Sequence, residues 1–179
     1  MDHATRFATT NDAEAIIDLS KRVQAALIAT GSLQEVGPLD EESVNDAIEK
    51  QRSFVLDTPD ISYERCIIGC AFFKPVGQDC FVTTSTFTMN DYQKPLLFLY
   101  WVMLEPSQGI GSSFIEEVLN GMRSNGHNNG TPLLLDCWAG NTKLRTFYTH
   151  LDLTFAAIVP QEDYEIGVFY LDLADLHGS

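Results

Sequence analysis

The sequence predicts an α/β fold with a single mixed, mostly antiparallel sheet and helices on both faces. The chain of 179 residues fits one domain, residues 1–179, because no repeat, low-complexity tract or polar linker divides it. Hydrophobic residues make up 45% of it, enough to bury a sizeable core. Apolar residues recur with helical spacing in some segments and form short continuous runs in others, and the two patterns follow one another in a mixed order.

Helical spacing predicts two helices before the first strands and two after the middle of the chain. Asn11 can accept backbone N–H bonds at the start of the first helix, Glu14 follows three residues on, and Gly31 is a plausible end. The later helices are predicted to end near Gly126 and Leu151. After the first helix, the predicted ranges are about 40–51, 112–123 and 143–151.

Short apolar runs predict the strands, which are 53–56, 66–73, 80–84, 97–104, 133–138, 155–159 and 168–173. A turn at 75–79 would make the strands on either side of it antiparallel neighbours. The strand 97–104, the helix after it and the strand 133–138 form a strand–helix–strand unit. Such a unit places its two strands parallel, with a right-handed crossover.

The composition excludes several classes of protein. A net charge of −14 repels phosphate backbones, so no nucleic-acid partner is expected. No apolar run reaches the roughly 18–20 residues that a membrane span needs, and the start has no signal-peptide pattern, so a cytoplasmic location is predicted. No metal site is predicted, because no Cys/His set has the usual zinc spacing. Reduced, buried thiols are therefore expected at Cys66, Cys70, Cys80 and Cys137.

The most informative stretch is the turn between the strand 97–104 and the next helix, which contains Gly109-Ile110-Gly111. Glycines let the backbone approach a ligand closely, and the free N–H groups of a helix start attract an anion such as a pyrophosphate. The Walker pattern is absent, and Phe114 stands where the dinucleotide fingerprint requires a third glycine. A nucleotide-binding domain is therefore disfavoured.

Two motifs in order resemble those of the GNAT acyltransferases. The loop Gln108-Gly109-Ile110-Gly111-Ser112 is similar to the family's acyl-CoA pyrophosphate loop, although Pro106 stands where the usual pattern begins with Arg or Gln. Downstream, Leu134, Asp136, Trp138, Asn141 and Phe147-Tyr148 resemble the second motif, but Asp152-Leu153 replaces its final Gly-Phe. The resemblance covers nearly the whole chain and implies a GNAT-like fold with acetyl-CoA as co-substrate.

The resemblance also implies roles for individual residues. In the family, the central strand splays from its neighbour at its end, and backbone groups there hold the pantetheine arm. Tyr148 would protonate the departing thiolate, and its structural alternative is a residue packed in the core. Asn141 would form a hydrogen bond with the cofactor arm, and its structural alternative is the N-cap of a helix. The implied cofactor contacts are Met103, Leu104, Gln108, Gly109, Ile110, Gly111, Ser112, Asn141 and Tyr148.

Two carboxylates are candidates for the base that deprotonates an amine. Glu105, next to the loop, is the first candidate. The alternative is that Glu105 is an ordinary solvated carboxylate with no role in the reaction. Asp136, in a strand that otherwise reads as buried, is the second, and its alternative is pairing with a neighbouring donor. Cys137 as an acyl-carrying nucleophile lacks a nearby histidine in the sequence.

The predicted function is transfer of an acetyl group from acetyl-CoA to the primary amine of a small molecule, by direct attack in a ternary complex. The alternative is a non-catalytic GNAT-fold module that binds acyl-CoA as a sensor or partner-binding domain. The acidic composition favours a cationic acceptor, whereas an anionic one could use Arg145 or Lys143. The identity of the acceptor stays open, as does the assembly, for which a homodimer is one option.

Overall fold

The computed structural model describes residues 3–59, 65–76, 96–106, 109–127 and 131–173. The predicted strand 80–84 lies outside these residues. A 3-10 helix, Thr10–Asp12, precedes the first α-helix, and a π turn, Arg123–His127, extends the third. The other elements, in chain order, are β1 (Ala4–Phe7), α1 (Ala13–Ala29), α2 (Glu41–Glu49), β2 (Ser53–Pro59), β3 (Arg65–Pro75), β4 (Leu97–Leu104), α3 (Gly111–Met122), β5 (Pro132–Trp138), α4 (Thr142–His150), β6 (Thr154–Pro160) and β7 (Glu165–Asp172).

The seven strands form one mixed sheet in the order β1-β2-β3-β4-β5-β7-β6. Strands β1 and β2, β2 and β3, β5 and β7, and β6 and β7 pair antiparallel, whereas β4 and β5 pair parallel. The predicted α/β class and the mixed, mostly antiparallel sheet are therefore confirmed. The parallel pairing predicted for the strand–helix–strand unit is also confirmed.

The chain divides into two compact units. One consists of Met1–Gly31, Glu35–Phe73 and Trp101–Gly121, and the other of Ser32–Gln34, Lys74–Tyr100 and Met122–Ser179. In the first, the buried faces of α1 and α2 supply Ile16, Leu19, Val23, Val44, Ala47 and Ile48. In the second, an apolar cluster includes Leu96, Phe98, Leu134, Val159, Ile166 and Val168. Each unit thus has its own buried apolar side chains.

In the first unit, Gly121 of α3 lies directly against the ring of Phe54 in β2. A Cβ atom at position 121 would stand 2.6 Å from Cε1 and 2.9 Å from Cζ of that ring. The ring is itself confined, because its centroid is 4.3 Å from that of Phe7 and 6.0 Å from that of Phe73. The absence of a side chain at Gly121 is therefore what lets α3 approach β2 this closely.

Three local predictions are corrected. The N-cap of α1 is Asp12, not Asn11, because the 3-10 turn displaces the helix start by one residue. Strand β1 was not predicted, since its four residues, Ala4-Thr5-Arg6-Phe7, contain no apolar run and are defined by pairing with β2. Cys66 is exposed rather than buried, whereas Cys70 and Cys137 are buried.

Among the described residues, no helix is long and apolar enough to cross a membrane.

An ion-pair network joins β1, the start of α1 and β2. Arg6 donates from Nη1 and Nη2 to the two carboxylate oxygens of Asp12, both at 2.8 Å, and from Nε to Asp57 at 2.8 Å. Asp12 also accepts from the backbone N–H of Thr9 at 2.7 Å. The hydrogen bond from Arg6 lowers the pKa of the buried Asp12 carboxyl to about 2, against the opposing effect of burial.

We expect Asp12→Asn to destabilise the protein by roughly 2 kcal/mol near pH 7. A lowered folded pKa means that this stabilisation is complete well above the ordinary pKa of 3.8 and is lost as the pH falls towards 2. Urea unfolding of both proteins at pH 7, 4 and 2.5 should therefore show a difference that shrinks with the pH. Asp18→Asn is the matched control, because it removes an exposed carboxylate paired with Lys21 and should change stability little. An equal loss in the two variants would contradict a special role for the Arg6 network.

Candidate functional site

The turn between β4 and α3, in the first unit, has the geometry of a helix-start loop. Strand β4 ends at Leu104, and α3 begins at Gly111. Gly109 has a φ of +66°, a backbone conformation that residues with a Cβ rarely adopt. Apart from its chain neighbours, no atom of the described residues lies within 4 Å of where its Cβ would be. Glycine is therefore needed here for the backbone conformation and not for space. Gln108, a predicted cofactor contact, lies outside the described residues.

Helix α3 is fixed by its apolar face and presents its N-terminus at this loop. Phe114, Ile115, Val118, Leu119 and Met122 are buried, whereas Ser112 and Ser113 in the first turn are exposed. The first helical bond described runs from the N–H of Phe114 to the carbonyl of Ile110, at 3.0 Å. The N–H groups of the first turn have no intrahelical acceptor and stand at the positive end of the helix dipole, which suits an anion.

Strand β4 changes conformation before it reaches the loop. Its described pairing with β5 runs from Leu97 opposite Leu133 to Leu99 opposite Leu135. Two residues later, Trp101 has a φ of +48°, in the left-handed region. Such a conformation at a residue with a large side chain costs on the order of 1 kcal/mol. Its ring packs edge-on against Phe72, with the centroids 5.4 Å apart. This irregularity sets the course of the last residues of β4.

The predicted cofactor contacts at the end of β4 differ in their environments. Met103 is 1% exposed, so its side chain packs in the core. Leu104 is half-buried and packs over Gly69 of β3. The N–H of Glu105 donates to the carbonyl of Ile68 at 2.7 Å, so this backbone donor is already engaged.

Glu105, the first candidate base, is held by a cation from α1. Its carboxylate accepts from Nη2 of Arg22 at 2.9 Å and from Nε at 3.1 Å. The guanidinium therefore occupies this carboxylate in a bidentate ion pair. Arg22 is 83 residues away in sequence, and no local pattern links the two positions.

In the second unit, Asp136 has the environment of a base with a raised pKa. It is half-buried in β5, and burial raises the pKa of its carboxyl to about 6. No hydrogen bond or ion pair of this carboxylate is found within the described part of the chain, so the predicted alternative of a paired donor is not supported there. A carboxyl that titrates near neutral pH is suited to exchange a proton with a substrate.

Cys137 and Tyr148 accompany Asp136 in the second unit. Burial raises the pKa of the Cys137 thiol to about 12, with a further contribution from Asp136. Burial also raises the pKa of the Tyr148 phenol, with smaller contributions from Cys137 and Asp136. The ring of Tyr148 packs against Phe147 and Phe169, each at 5.5 Å between centroids. Both groups are therefore protonated at neutral pH, so Cys137 is a poor nucleophile and Tyr148 can donate a proton.

Asn141 is the N-cap of α4. Its side-chain oxygen accepts from the N–H of Leu144 at 3.0 Å, which confirms the capping alternative. The amide NH₂ group of the same side chain is the part that could still serve a ligand. Asp136, Cys137 and Tyr148 thus lie in one unit, where Asp136 and Cys137 occupy opposite faces of β5, and Glu105 pairs with Arg22 in the other unit. No group of metal-ligating side chains is found among the described residues.

Comparison with known proteins identifies the fold. No family model matches the sequence, and no curated protein is similar to it in sequence. Solved structures do resemble it. An acetyltransferase of the GNAT family from Streptococcus agalactiae superposes with a TM-score of 0.70 at 15% identity, covering 95% of each chain.

Two further structures are similar over nearly their whole lengths. yncA of Salmonella typhimurium, solved with its cofactor acetyl-CoA, has a TM-score of 0.68 at 16% identity and covers 100% of this chain and 98% of its own. The ribosomal-protein-S18-alanine N-acetyltransferase from Escherichia coli has a TM-score of 0.64 at 16% identity, and the match covers 98% of this chain and 97% of its own. At these identities the likeness is one of fold.

Proposed function

Because this chain has the fold of the GNAT acetyltransferases, we propose that it transfers an acetyl group from acetyl-CoA to the primary amine of a small molecule. The observation that supports this most is the junction of β4 and α3. There a strand with an irregular end leads through Gly109, at positive φ, into an exposed helix N-terminus. That terminus would bind the pyrophosphate of acetyl-CoA through backbone N–H groups, with Gly111 and Ser112 in the first turn.

We assign the role of base to Asp136 rather than to Glu105. An amine must lose a proton when it attacks a thioester, and the best acceptor has a pKa near the working pH. The Asp136 carboxyl, with a pKa of about 6, meets this requirement, whereas the Glu105 carboxylate is bound by Arg22. Asp136 would take the proton from the amine directly or through one water molecule.

Tyr148 would complete the reaction as the acid. As the new amide C–N bond forms, the C–S bond breaks, and the departing thiolate would take the proton of the Tyr148 hydroxyl. The tyrosinate would then be protonated again from solvent. Burial raises the pKa of the phenol, so it keeps its proton at neutral pH, and burial of the departing thiolate beside it would make that thiolate a stronger base. The protonated Cys137 favours direct attack over an acyl-cysteine intermediate.

Acetyl-CoA is expected to raise the melting temperature, because a ligand at about 100 times its Kd adds roughly 2.7 kcal/mol to the free energy of unfolding. NADH and ATP should do far less. Thermal unfolding with each ligand tests binding, and thiol release with a mixed pool of amines tests transfer. Stabilisation without thiol release would favour the alternative of a non-catalytic acyl-CoA-binding module. Equal stabilisation by the three ligands would contradict an acyl-CoA site.

Gly111→Val is expected to abolish most of this stabilisation, because a β-branched side chain would stand where the backbone meets the phosphates. Asn120→Val is the matched control, since it places the same side chain at an exposed position of the same helix. Calorimetric titration with acetyl-CoA should show a loss of affinity in the first variant and not in the second. Similar affinities in both variants would mean that the pyrophosphate binds elsewhere.

A cationic acceptor is also proposed, on the basis of the net charge of −14. Negative potential concentrates cations, so polyamines, amino sugars or basic amino-acid derivatives should have higher kcat/KM than anionic amines. The advantage should shrink as salt rises past about 0.15 M, where the screening length is near 8 Å. Matched amines assayed at low and high salt provide the test. An anionic best substrate with rates indifferent to salt would overturn this proposal and leave acetyl transfer intact.

A further inference from the structure

A cavity of about 360 Å³ lies in the second unit, beside α4. Its volume is within the range of small-molecule sites. One helix face supplies its polar wall, and β6 and β7 supply two aromatic rings. The lining residues are Thr142, Arg145, Thr146, Thr149, Phe155 and Phe169. None of them was assigned a chemical role in the reaction proposed above, although Phe169 also packs against Tyr148.

Arg145 is the only ionisable side chain among these lining residues, and its hydrogen bonding is incomplete. Its Nε atom is buried and has no hydrogen-bond partner among the described residues. Its Nη1 donates to the carbonyl of Ala139 at a long 3.4 Å. No carboxylate lies within ion-pairing distance of it in the part of the chain that the structure describes. A guanidinium has five N–H donors and no acceptor, so an anion is the partner that this side chain lacks.

The aromatic contact of Arg145 does not replace that partner. Its guanidinium carbon lies 5.1 Å from the centroid of the Phe155 ring, a cation–π distance. Such a contact stabilises a guanidinium less than hydrogen bonds to a charged acceptor do. A buried donor of a charged group left without an acceptor is destabilising. The ring therefore orients the guanidinium but leaves the Nε–H unsatisfied.

The remaining wall is apolar and consists of two aromatic rings. The rings of Phe155 and Phe169 meet edge to face, with centroids 5.5 Å apart. Phe155 is 41% exposed, unusual for a large apolar side chain, whereas Phe169 is buried. Two rings in this arrangement suit a planar apolar group, which would cover the exposed part of Phe155.

We propose that this cavity binds a small monocarboxylate with a planar apolar body, such as an aryl carboxylate. The carboxylate would accept hydrogen bonds from the Nη groups of Arg145, and the apolar body would contact Phe155 and Phe169. The protein as a whole is acidic and repels anions, so binding of a carboxylate here would depend on the positive charge of Arg145. Binding here requires neither acetyl-CoA nor an amine.

The probe for this site is 4-fluorobenzoate, observed by ¹⁹F NMR in titrations of the protein without acetyl-CoA. The isosteric neutral amide, 4-fluorobenzamide, shows how much the carboxylate contributes. We expect saturable binding of the acid at submillimolar to millimolar concentration, and binding of the amide at least tenfold weaker, since hydrogen bonds to a charged group contribute about 1.5–3 kcal/mol.

Two variants locate the bound acid. Arg145→Gln should weaken binding about tenfold or more, whereas Lys143→Gln, which removes the same charge from an exposed position of the same helix, should leave it within twofold. Thr149→Glu adds a carboxylate four residues from Arg145 on the cavity wall, and it should block binding by supplying an internal anion. This second variant keeps the test valid if Arg145→Gln fails to fold. Equal affinity for acid and amide, or unchanged affinity in folded Arg145→Gln or Thr149→Glu, would overturn the proposal.

Discussion

Tyr148→Phe is expected to lower kcat by about 100-fold or more while the affinity for acetyl-CoA changes little. The substitution keeps the ring packed against Phe147 and Phe169 and removes only the hydroxyl, the proposed proton donor to the thiolate. Stability should change little, because no hydrogen bond of this hydroxyl is found among the described residues. Steady-state kinetics combined with calorimetric titration of acetyl-CoA would measure both effects.

Tyr170→Phe is the control for loss of a phenolic hydroxyl, since Tyr170 is a half-buried tyrosine of β7 with no proposed role in the reaction. Its kcat should stay within a factor of about three of the parent value. If Tyr148→Phe does the same, the Tyr148 hydroxyl is structural and the acid is another group or solvent.

Asp136→Asn is expected to stabilise the protein at pH 8 and to lower kcat/KM by at least 100-fold. Burial raises the folded pKa of Asp136 from 3.8 to about 6, so the folded state binds the proton more tightly than the unfolded state. Stability therefore falls as the pH rises from about 4 to about 6, and the loss is complete above that. An asparagine never ionises and avoids this loss, which is about 3 kcal/mol.

The two effects of Asp136→Asn have separate measurements. Urea unfolding at pH 4 and pH 8 should show nearly equal stabilities at pH 4 and a more stable variant at pH 8, whereas the exposed Asp163→Asn should show no such pattern. In the parent protein, kcat/KM should fall below an apparent pKa near 6, because protonated Asp136 cannot accept a proton. If Glu105→Gln lowers kcat/KM more than Asp136→Asn does, the base assigned here is wrong.

The sequence predicts the elements whose own residues define them. Strand β4 was predicted with its observed bounds, and α2, α3, β5 and α4 to within about two residues at each end, because each has an apolar pattern of its own. Strand β1 has no such pattern and exists through its partner β2, so only the tertiary structure reveals it.

The candidate site also has parts that the sequence predicts and parts that only the folded structure reveals. The Gly109–Gly111 loop is visible in the sequence because its chemistry lies within a few consecutive residues. The pairing of Arg22 with Glu105 and the raised pKa of Asp136 depend on which side chains surround each carboxylate after folding. Composition and spacing contain no information on either. These environments are the reason why we propose Asp136 rather than Glu105 as the base.

Few residues other than glycine are expected to be tolerated at position 121 in a directed-evolution experiment. A library randomised there would return glycine, because even alanine places a methyl group 2.6 Å from the Phe54 ring, which Phe7 and Phe73 hold in place. A smaller side chain at position 54 would relieve the clash, so a second substitution is the route by which a larger residue could enter. Mutational tolerance at these two positions is coupled, and a library that varies them together would recover combinations that one-at-a-time mutagenesis misses.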